Sequence, residues 1–159
     1  MRIGQGYDSH KFCKHRVLFL GGVRVPHGAG LAGHSDADVL THAIIDALLG
    51  AAKLGDIGRL FPDNDSQYQN VSSILLLERV YSQLQLVGYK IANVDATIIT
   101  EAPKLAPFIP QMEANIAAAC AIGVGQVSIK AKTAEGMGFV GRGEGIEVHA
   151  ICLIEKVII

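Results

Sequence analysis

His34-Ser35-Asp36-Ala37-Asp38-Val39-Leu40-Thr41-His42-Ala43-Ile44-Ile45-Asp46-Ala47-Leu48-Leu49-Gly50-Ala51-Ala52 carries a helix with two distinct faces. Apolar Val39, Ala43, Ile44, Ala47 and Leu48 recur at helical spacing from Asp38 to about Ala52. Ser35 or Asp36 supplies the cap. Asp38, His42 and Asp46 stand four apart and form a separate polar stripe, so His42 is turned away from the core face. Upstream, a glycine-rich stretch from His27 to Gly33 follows two apolar runs, Val17–Leu20 and Val23–Val25, which flank Gly21-Gly22 as a hairpin. Arg2 to Tyr7 reads as a short opening strand.

Downstream, Gly55–Asn70 has turn chemistry throughout and the length of a functional loop. A second helix spans Val71 to Val87, with Ile74, Leu77, Val80, Tyr81, Leu84 and Val87 inward and Gly88 as its stop. Ile91 to Ile99 alternates as a strand. Pro107 opens a third helix to about Ala121, closed by Gly123. Val127 to Lys132 alternates again, glycines from 136 to 145 make a second loop, and a strand runs from Gly145 to Val157. This mixed order predicts an α+β fold: one domain over residues 1–159, with a mostly four-stranded mixed sheet packed on helices and a small N-terminal hairpin.

Size and composition narrow the function. A chain of 159 residues is one domain long enough for a proper core. Half of its residues are hydrophobic and only 18% are charged, so some surface is expected to be hidden against copies of the same chain. A net charge of −1 provides no basic field for nucleic acid or an anionic membrane. No apolar run reaches the roughly 18 residues of a membrane helix. Cys13, Cys120 and Cys152 lack CxxC spacing and read as reduced thiols. With no leader ahead of the first chemical motif, a bacterial cytosol is the expected location.

Two stretches carry chemistry. In an extended Gly6-Tyr7-Asp8-Ser9-His10, Asp8 and His10 point the same way and can converge on one ion, with His42 as a third donor. One carboxylate and two imidazoles suit zinc and leave a fourth position open for substrate or water. The plain alternative is a strand-end Asp–His pair beside a helical histidine. Thr133 to Gly145 directly follows a strand: its glycines let amides approach anionic oxygens, and Glu135 can hold magnesium beside a phosphate. A flexible glycine hairpin is the alternative there. No Walker or dinucleotide-binding fingerprint occurs.

Five blocks in order, over essentially the full length, resemble the 2-C-methyl-D-erythritol 2,4-cyclodiphosphate synthase family. They are Gly6–His10, His34–Asp38, Gly55–Gly58 with Phe61-Pro62-Asp63, Ala102-Pro103-Lys104, and Thr133–Gly145. The resemblance implies a homotrimer with active sites between subunits, and zinc on Asp8, His10 and His42. It implies that His34 and Thr133 steady the phosphates in the transition state with Ser35 alongside, and that Asp8, Ser9 and His10 also touch substrate. Asp56, Ile57 and Gly58 would hold the methylerythritol portion, helped by Phe61, Pro62, Asp63, Asn64 and Asp65. A neighbouring subunit's Thr100, Glu101, Ala102, Pro103, Lys104, Leu105 and Ala106 would cradle cytosine, through main-chain contacts at the first two. Lys132, Thr133, Ala134 and Glu135 would embrace the diphosphate, with magnesium on Glu135. Phe139 and Arg142 would face an axial cavity that takes an isoprenoid diphosphate. Lys132 departs from a threonine common in the family and makes that contact cationic. Gln5 replaces a histidine of some members, outside the ligand set.

The implied reaction is intramolecular. In 4-diphosphocytidyl-2-C-methyl-D-erythritol 2-phosphate the 2-phosphate attacks the β-phosphorus and CMP leaves. An anionic phosphate needs no general base, which agrees with the lack of any Ser-His-Asp or Cys-His arrangement. Two rivals fit parts of the pattern: a zinc-dependent nucleotide hydrolase, and a non-catalytic trimer that binds isoprenoid diphosphates.

Overall fold

The first strand, β1 (Arg2–Cys13), is built to receive a helix at backbone distance. Its buried face presents Gly4 and Gly6, where an added Cβ would lie 1.9 Å from the Ala47 and Ala43 carbonyl oxygens respectively. Only glycine admits α1 (Val39–Ala52) so close. Strand and helix run in opposite directions. Two strand residues advance about 6.7 Å and four helical residues about 6 Å, so the two stay in step. Gly4 meets Ala47, Gly6 meets Ala43, and the next residues on the same strand face, Asp8 and His10, arrive beside His42.

The computed structural model describes residues 1–157; the final two positions of the expected domain lie outside the described residues. The sheet has five strands in the order β4-β1-β7-β5-β6, formed by β4 (Gly30–Leu31), β5 (Tyr89–Ile99), β6 (Val127–Lys132) and β7 (Gly145–Lys156) with β1. It is mixed: β5 and β6 are parallel and the other pairs antiparallel. Four strands were expected. The fifth is a two-residue pairing of Gly30–Leu31 with Phe12–Cys13, too short to show a period of its own. It also accounts for β1 running six residues beyond Tyr7. β2 (Leu18–Leu20) and β3 (Val23–Val25) form the separate expected hairpin.

Asp38, rather than Ser35 or Asp36, caps α1: its carboxylate accepts from the Thr41 amide and hydroxyl at 3.0 and 2.9 Å. The same buried carboxylate accepts from the Gly21 and Gly22 amides, which ties the hairpin to the helix start. The loop 55–70 contains two short helical turns, α2 (Ile57–Leu60) and a 3-10 turn at Ser66–Tyr68. α3 (Ser73–Leu86) buries Leu76, Leu77, Val80 and Leu84, whereas Val87 caps its end and is 43% exposed instead of pointing inward. α4 (Ile109–Ala119) starts two residues after Pro107 and carries Pro110 in its first turn. Inside the second glycine loop, Gly138–Gly141 closes a short α5.

The core lies between α1, α3, α4 and one sheet face, where Val94, Ala96, Ile98, Ile146, Val148, Ala150 and Cys152 alternate inward. No helix of the described chain covers the other face, and Ile3, Tyr7 and Ile151 stand 71%, 46% and 47% exposed on it. Among the described residues no helix is long and apolar enough to cross a membrane.

Candidate metal centre and substrate clefts

Asp8 Oδ2, His10 Nε2 and His42 Nδ1 converge at one point. The carboxylate oxygen is 2.9 Å from the first imidazole nitrogen and 3.2 Å from the second, and the two nitrogens are 3.3 Å apart. Bonds of about 2.0–2.2 Å to a tetrahedral ion put donors roughly 3.3 Å apart, so the three atoms outline one face of such a site. This is the only cluster of three or more potential metal ligands among the described residues. Burial works against the Asp8 charge, but the two imidazoles outweigh it and hold the carboxyl well below the usual carboxylate range. Burial likewise opposes a proton on His10, and the charge and hydrogen bond of Asp8 override it to raise the imidazole pKa. The donor set, one hard oxygen and two imidazoles, fits a borderline divalent ion.

Both imidazoles are held from behind. His10 Nδ1 meets the Ala32 carbonyl oxygen. His42 Nε2 faces two hydroxyls, Ser73 Oγ at 2.9 Å and Ser35 Oγ at 3.1 Å. Asp46, on the same polar stripe as His42, makes no side-chain hydrogen bond to it and accepts from the Ile57 amide at 2.7 Å, which anchors α2. One turn along α1 from His42, it reaches outward to the loop.

The triad opens into a cleft of about 250 Å³ lined also by Gly33, His34, Ser35, Ile57, Gly58, Phe61, Asp63, Tyr68 and Leu76. The loop around His34 is clamped by Arg16, whose guanidinium donates to the Gly33 and Ser35 carbonyls on either side, at 2.5 and 2.6 Å. His34 Nε2 also lies 3.2 Å from the Asp65 carbonyl. Asp56 caps α2 through the Arg59 amide, Phe61 packs edge-on against Tyr68, and Pro62 and Asn64 are exposed at the loop tip. Ser9 points to the uncovered sheet face, away from this cleft.

A second cleft, of about 220 Å³, lies between Thr100–Ala106 and Ala131–Thr133. Glu101 joins its walls: its side chain accepts from the Ala134 amide at 2.7 Å and the Gly136 amide at 3.4 Å, a side-chain role beyond the main-chain contacts expected there. Thr100 donates to the Ala102 carbonyl at 2.7 Å, Lys104 and Ala106 are exposed, and Leu105 is buried. Lys132, Thr133 and Glu135 are exposed, with the Thr133 hydroxyl 3.1 Å from the Glu135 carboxylate. The two clefts are not joined within the chain. Asp8, Val148, Ile98 and Ala131 stand in register across β1, β7, β5 and β6, so three strand gaps of about 4.8 Å, roughly 14 Å, separate the metal corner from the 131–133 segment. Phe139 is half-buried on α5, and Arg142 pairs with Glu144 of the same chain at 2.7 Å.

Ser73, Arg16 and the Glu101 side chain take part in these arrangements with no sequence signal for that role, and Asp36, which reads as a cap of α1, holds Ser73 instead. Their partners are 17 to 37 positions away, beyond any local spacing. A Ser-Ser pair opening a helix was the one available cue, and it reads as capping.

Comparison with known proteins is consistent along the whole chain. The YgbB family model matches residues 1–155. The 2-C-methyl-D-erythritol 2,4-cyclodiphosphate synthase of Syntrophomonas wolfei is 58% identical over 156 residues, which is 98% of this chain and 99% of the relative. That of Clostridium novyi is 57% identical over the same shares. Among solved structures, the IspF of Plasmodium falciparum in complex with CDP superposes with a TM-score of 0.86 at 35% identity, covering 99% of this chain and 97% of that one. The bifunctional IspDF of Campylobacter jejuni gives 0.95 at 39% identity; 98% of this chain is covered, and it spans 42% of that longer protein. The chain belongs to the YgbB family, whose named relatives here are 2-C-methyl-D-erythritol 2,4-cyclodiphosphate synthases.

Proposed function

We propose that this chain is a lyase of isoprenoid precursor biosynthesis, converting 4-diphosphocytidyl-2-C-methyl-D-erythritol 2-phosphate into 2-C-methyl-D-erythritol 2,4-cyclodiphosphate and CMP. The observation that carries the reading is the tetrahedral spacing of Asp8, His10 and His42 at the mouth of the first cleft. A 2-phosphate oxygen forms the new bond to the β-phosphorus, the bond from that phosphorus to the α–β bridging oxygen breaks, and CMP departs with the bridging oxygen. Zinc on Asp8, His10 and His42 and magnesium on Glu135 would supply charge neutralisation and polarisation of the crowded phosphates.

The protein's own groups do the positioning. Asp56, Ile57 and Gly58 hold the polyol in the first cleft, with the loop Phe61–Asp65 folded over it. His34, with Ser35, and Thr133 donate to the phosphate oxygens as charge shifts between them. Folding a flexible polyol for in-line attack is worth up to roughly 7–11 kcal/mol in well-oriented intramolecular reactions. Thr100–Ala106 receives the cytosine and Lys132–Glu135 the diphosphate. Each cleft is smaller than the roughly 300–1,000 Å³ of a complete ligand site, which supports two half-sites joined between copies. The apolar residues on the uncovered sheet face favour the same assembly, a homotrimer with an axial cavity near Phe139 and Arg142 that takes an isoprenoid diphosphate. A bacterial cytosol is the proposed setting.

³¹P NMR of the purified chain with the diphosphocytidyl substrate, zinc and magnesium tests the reaction. Two mutually coupled signals of a cyclic diphosphate, appearing with CMP, are expected. CMP with open-chain phosphates would make the chain a hydrolase, and no reaction would make it a binder. Mixing inactive His42→Ala chains with inactive Thr133→Ala chains tests the shared site: activity returns if one site draws on two subunits, and stays absent otherwise.

A further inference from the structure

We infer that Ser73 and Asp36 are positioning residues of the metal centre, and that they decide which nitrogen of His42 carries the proton. The inference rests on reading Asp8, His10 and His42 as ligands. A neutral imidazole has one N–H and one lone pair, and only the lone pair can bind a metal. His42 Nδ1 faces Asp8 and His10, while Nε2 faces Ser73 Oγ at 2.9 Å.

Ser73 has a single hydroxyl proton, and its Oγ is also in hydrogen-bond contact with Asp36 Oδ1. An ionised carboxylate only accepts, so the Ser73 proton goes to Asp36. Ser73 Oγ is left to accept from His42, which places the hydrogen on Nε2 and frees the Nδ1 lone pair towards Asp8 and His10. The opposite tautomer would point an Nδ1–H at Asp8 Oδ2, 3.2 Å away, and fill the ligand position with a proton.

Asp36 is itself fixed. Its Oδ2 accepts from the Ser73 amide at 3.0 Å, at the start of α3, where the helix end favours a carboxylate. Its Oδ1 also takes the Asp38 amide at 3.2 Å. Ser73 is fully buried, so bulk water does not replace the hydroxyl. Ser35 Oγ is the secondary neighbour, 3.1 Å from Nε2: it accepts from the Ala37 amide, and its one hydrogen can go to the second lone pair of Ser73 Oγ, 3.5 Å away. His10 is set by the same logic through a backbone carbonyl, at Ala32. One ligand is thus oriented by the main chain, the other by a carboxylate acting through a hydroxyl.

The test uses the full chain stripped of metal by chelation. Long-range ¹H–¹⁵N spectra of the imidazoles read the His42 tautomer without any ion present, and competition against a zinc chelator then reads affinity for Zn²⁺. The wild type should show the Nε2–H form. Ser73→Ala should lose that preference and bind zinc about 10–100-fold more weakly, the usual range for removing such a partner. In Asp36→Asn the amide can donate to Ser73 Oγ and turn the hydroxyl proton towards His42, so the population should move to Nδ1–H and zinc affinity should fall at least as far. Ser73→Thr keeps the hydroxyl and should restore both signals.

An Nδ1–H form in the wild type, or unchanged tautomer and affinity in both Ser73→Ala and Asp36→Asn, overturns the inference. A wild-type chain that takes up no zinc removes the ligand reading, and the metal-free tautomer spectrum distinguishes that failure from one of the hydrogen-bond argument.

Discussion

The metal corner and the phosphate loop are built in opposite ways. At the corner, a buried strand face meets a buried helix at glycine distance, and each imidazole is fixed from front and back. At the loop, Lys132, Thr133, Glu135 and Gly136 are exposed, and one carboxylate, Glu101, ties the turn to the opposite wall. The corner is therefore specified by packing inside one chain, whereas the loop has few contacts of its own and, on the proposed function, is completed by substrate and a second copy. The largest effect should come from the corner. His42→Ala should abolish zinc uptake and lower cyclisation by about 1,000-fold or more, since such an ion contributes several kcal/mol. Titration with zinc and steady-state turnover measure this, with circular dichroism to confirm the fold. Turnover that survives without zinc uptake would remove the corner from the chemistry.

The next prediction sets one glycine from each region against the other. A methyl group at Gly6 would lie 1.9 Å from the Ala43 carbonyl, and backbone cannot move aside cheaply. Gly6→Ala should destabilise the chain by about 3 kcal/mol, the upper part of the overpacking range, and weaken zinc binding as α1 is pushed off β1. At Gly136 the backbone is left-handed, φ +75°, but the space around it is open. Gly136→Ala should cost only about 1 kcal/mol, from that conformation alone. Chemical denaturation of both variants decides the matter. Equal losses would mean the two regions are packed alike.

How much of this was legible in the sequence follows the same division. Extended spacing lets Asp8 and His10 point the same way and the four-residue stripe of α1 turns His42 off the core face, because both signals are local, but the five-block resemblance is what joins the three as one ligand set. The two-residue strand Gly30–Leu31 is invisible to periodicity, so the sheet was one strand short. Gly4 and Gly6 were read as part of a strand, although a period-two pair of glycines also marks a place where another backbone lies close. Asp36 reads naturally as a helix-start residue of α1, but it serves the start of α3, 37 positions on. The Glu101 contact is equally remote, and nothing near Glu101 signals that amides at 134 and 136 will be waiting for it.

Glu101 offers a smaller and more selective way to sharpen the contrast. Glu101→Ala leaves the Ala134 and Gly136 amides to water on an exposed loop. The turn loosens, and the diphosphate must order it on binding. KM should rise about tenfold with kcat nearly unchanged, the signature of lost uniform binding. Glu101→Gln keeps an acceptor and should recover most of the loss. A fall in kcat with unchanged KM would show that the loop acts on the transition state and is more preorganised than its exposure implies.

The smallest effect asks whether the contrast reaches the core. Cys152 lies opposite Gly4 under the metal side, and Cys120 ends α4, which packs against β6 under the phosphate side. Both thiols are buried, and burial is the main reason their pKa values are pushed up from 9.0, to about 12 for Cys120 and about 11 for Cys152. Once unfolded, each thiol ionises near its ordinary value while the native chain keeps the proton. The unfolded state therefore binds fewer protons as pH rises, and stability falls in that direction. Between pH 7 and 9 the two together should remove about 1 kcal/mol, and the loss should steepen above pH 9. Denaturation midpoints across that range, repeated with Cys120→Ala and with Cys152→Ala, should each show part of the slope disappear. Alkylation at pH 8 should modify half-exposed Cys13 and spare the other two. Rapid labelling of Cys120 with Cys152 protected would carry the looseness of the phosphate side down into α4 and β6. If both are protected, the two regions share one core and differ only in what the surface above it leaves unfinished.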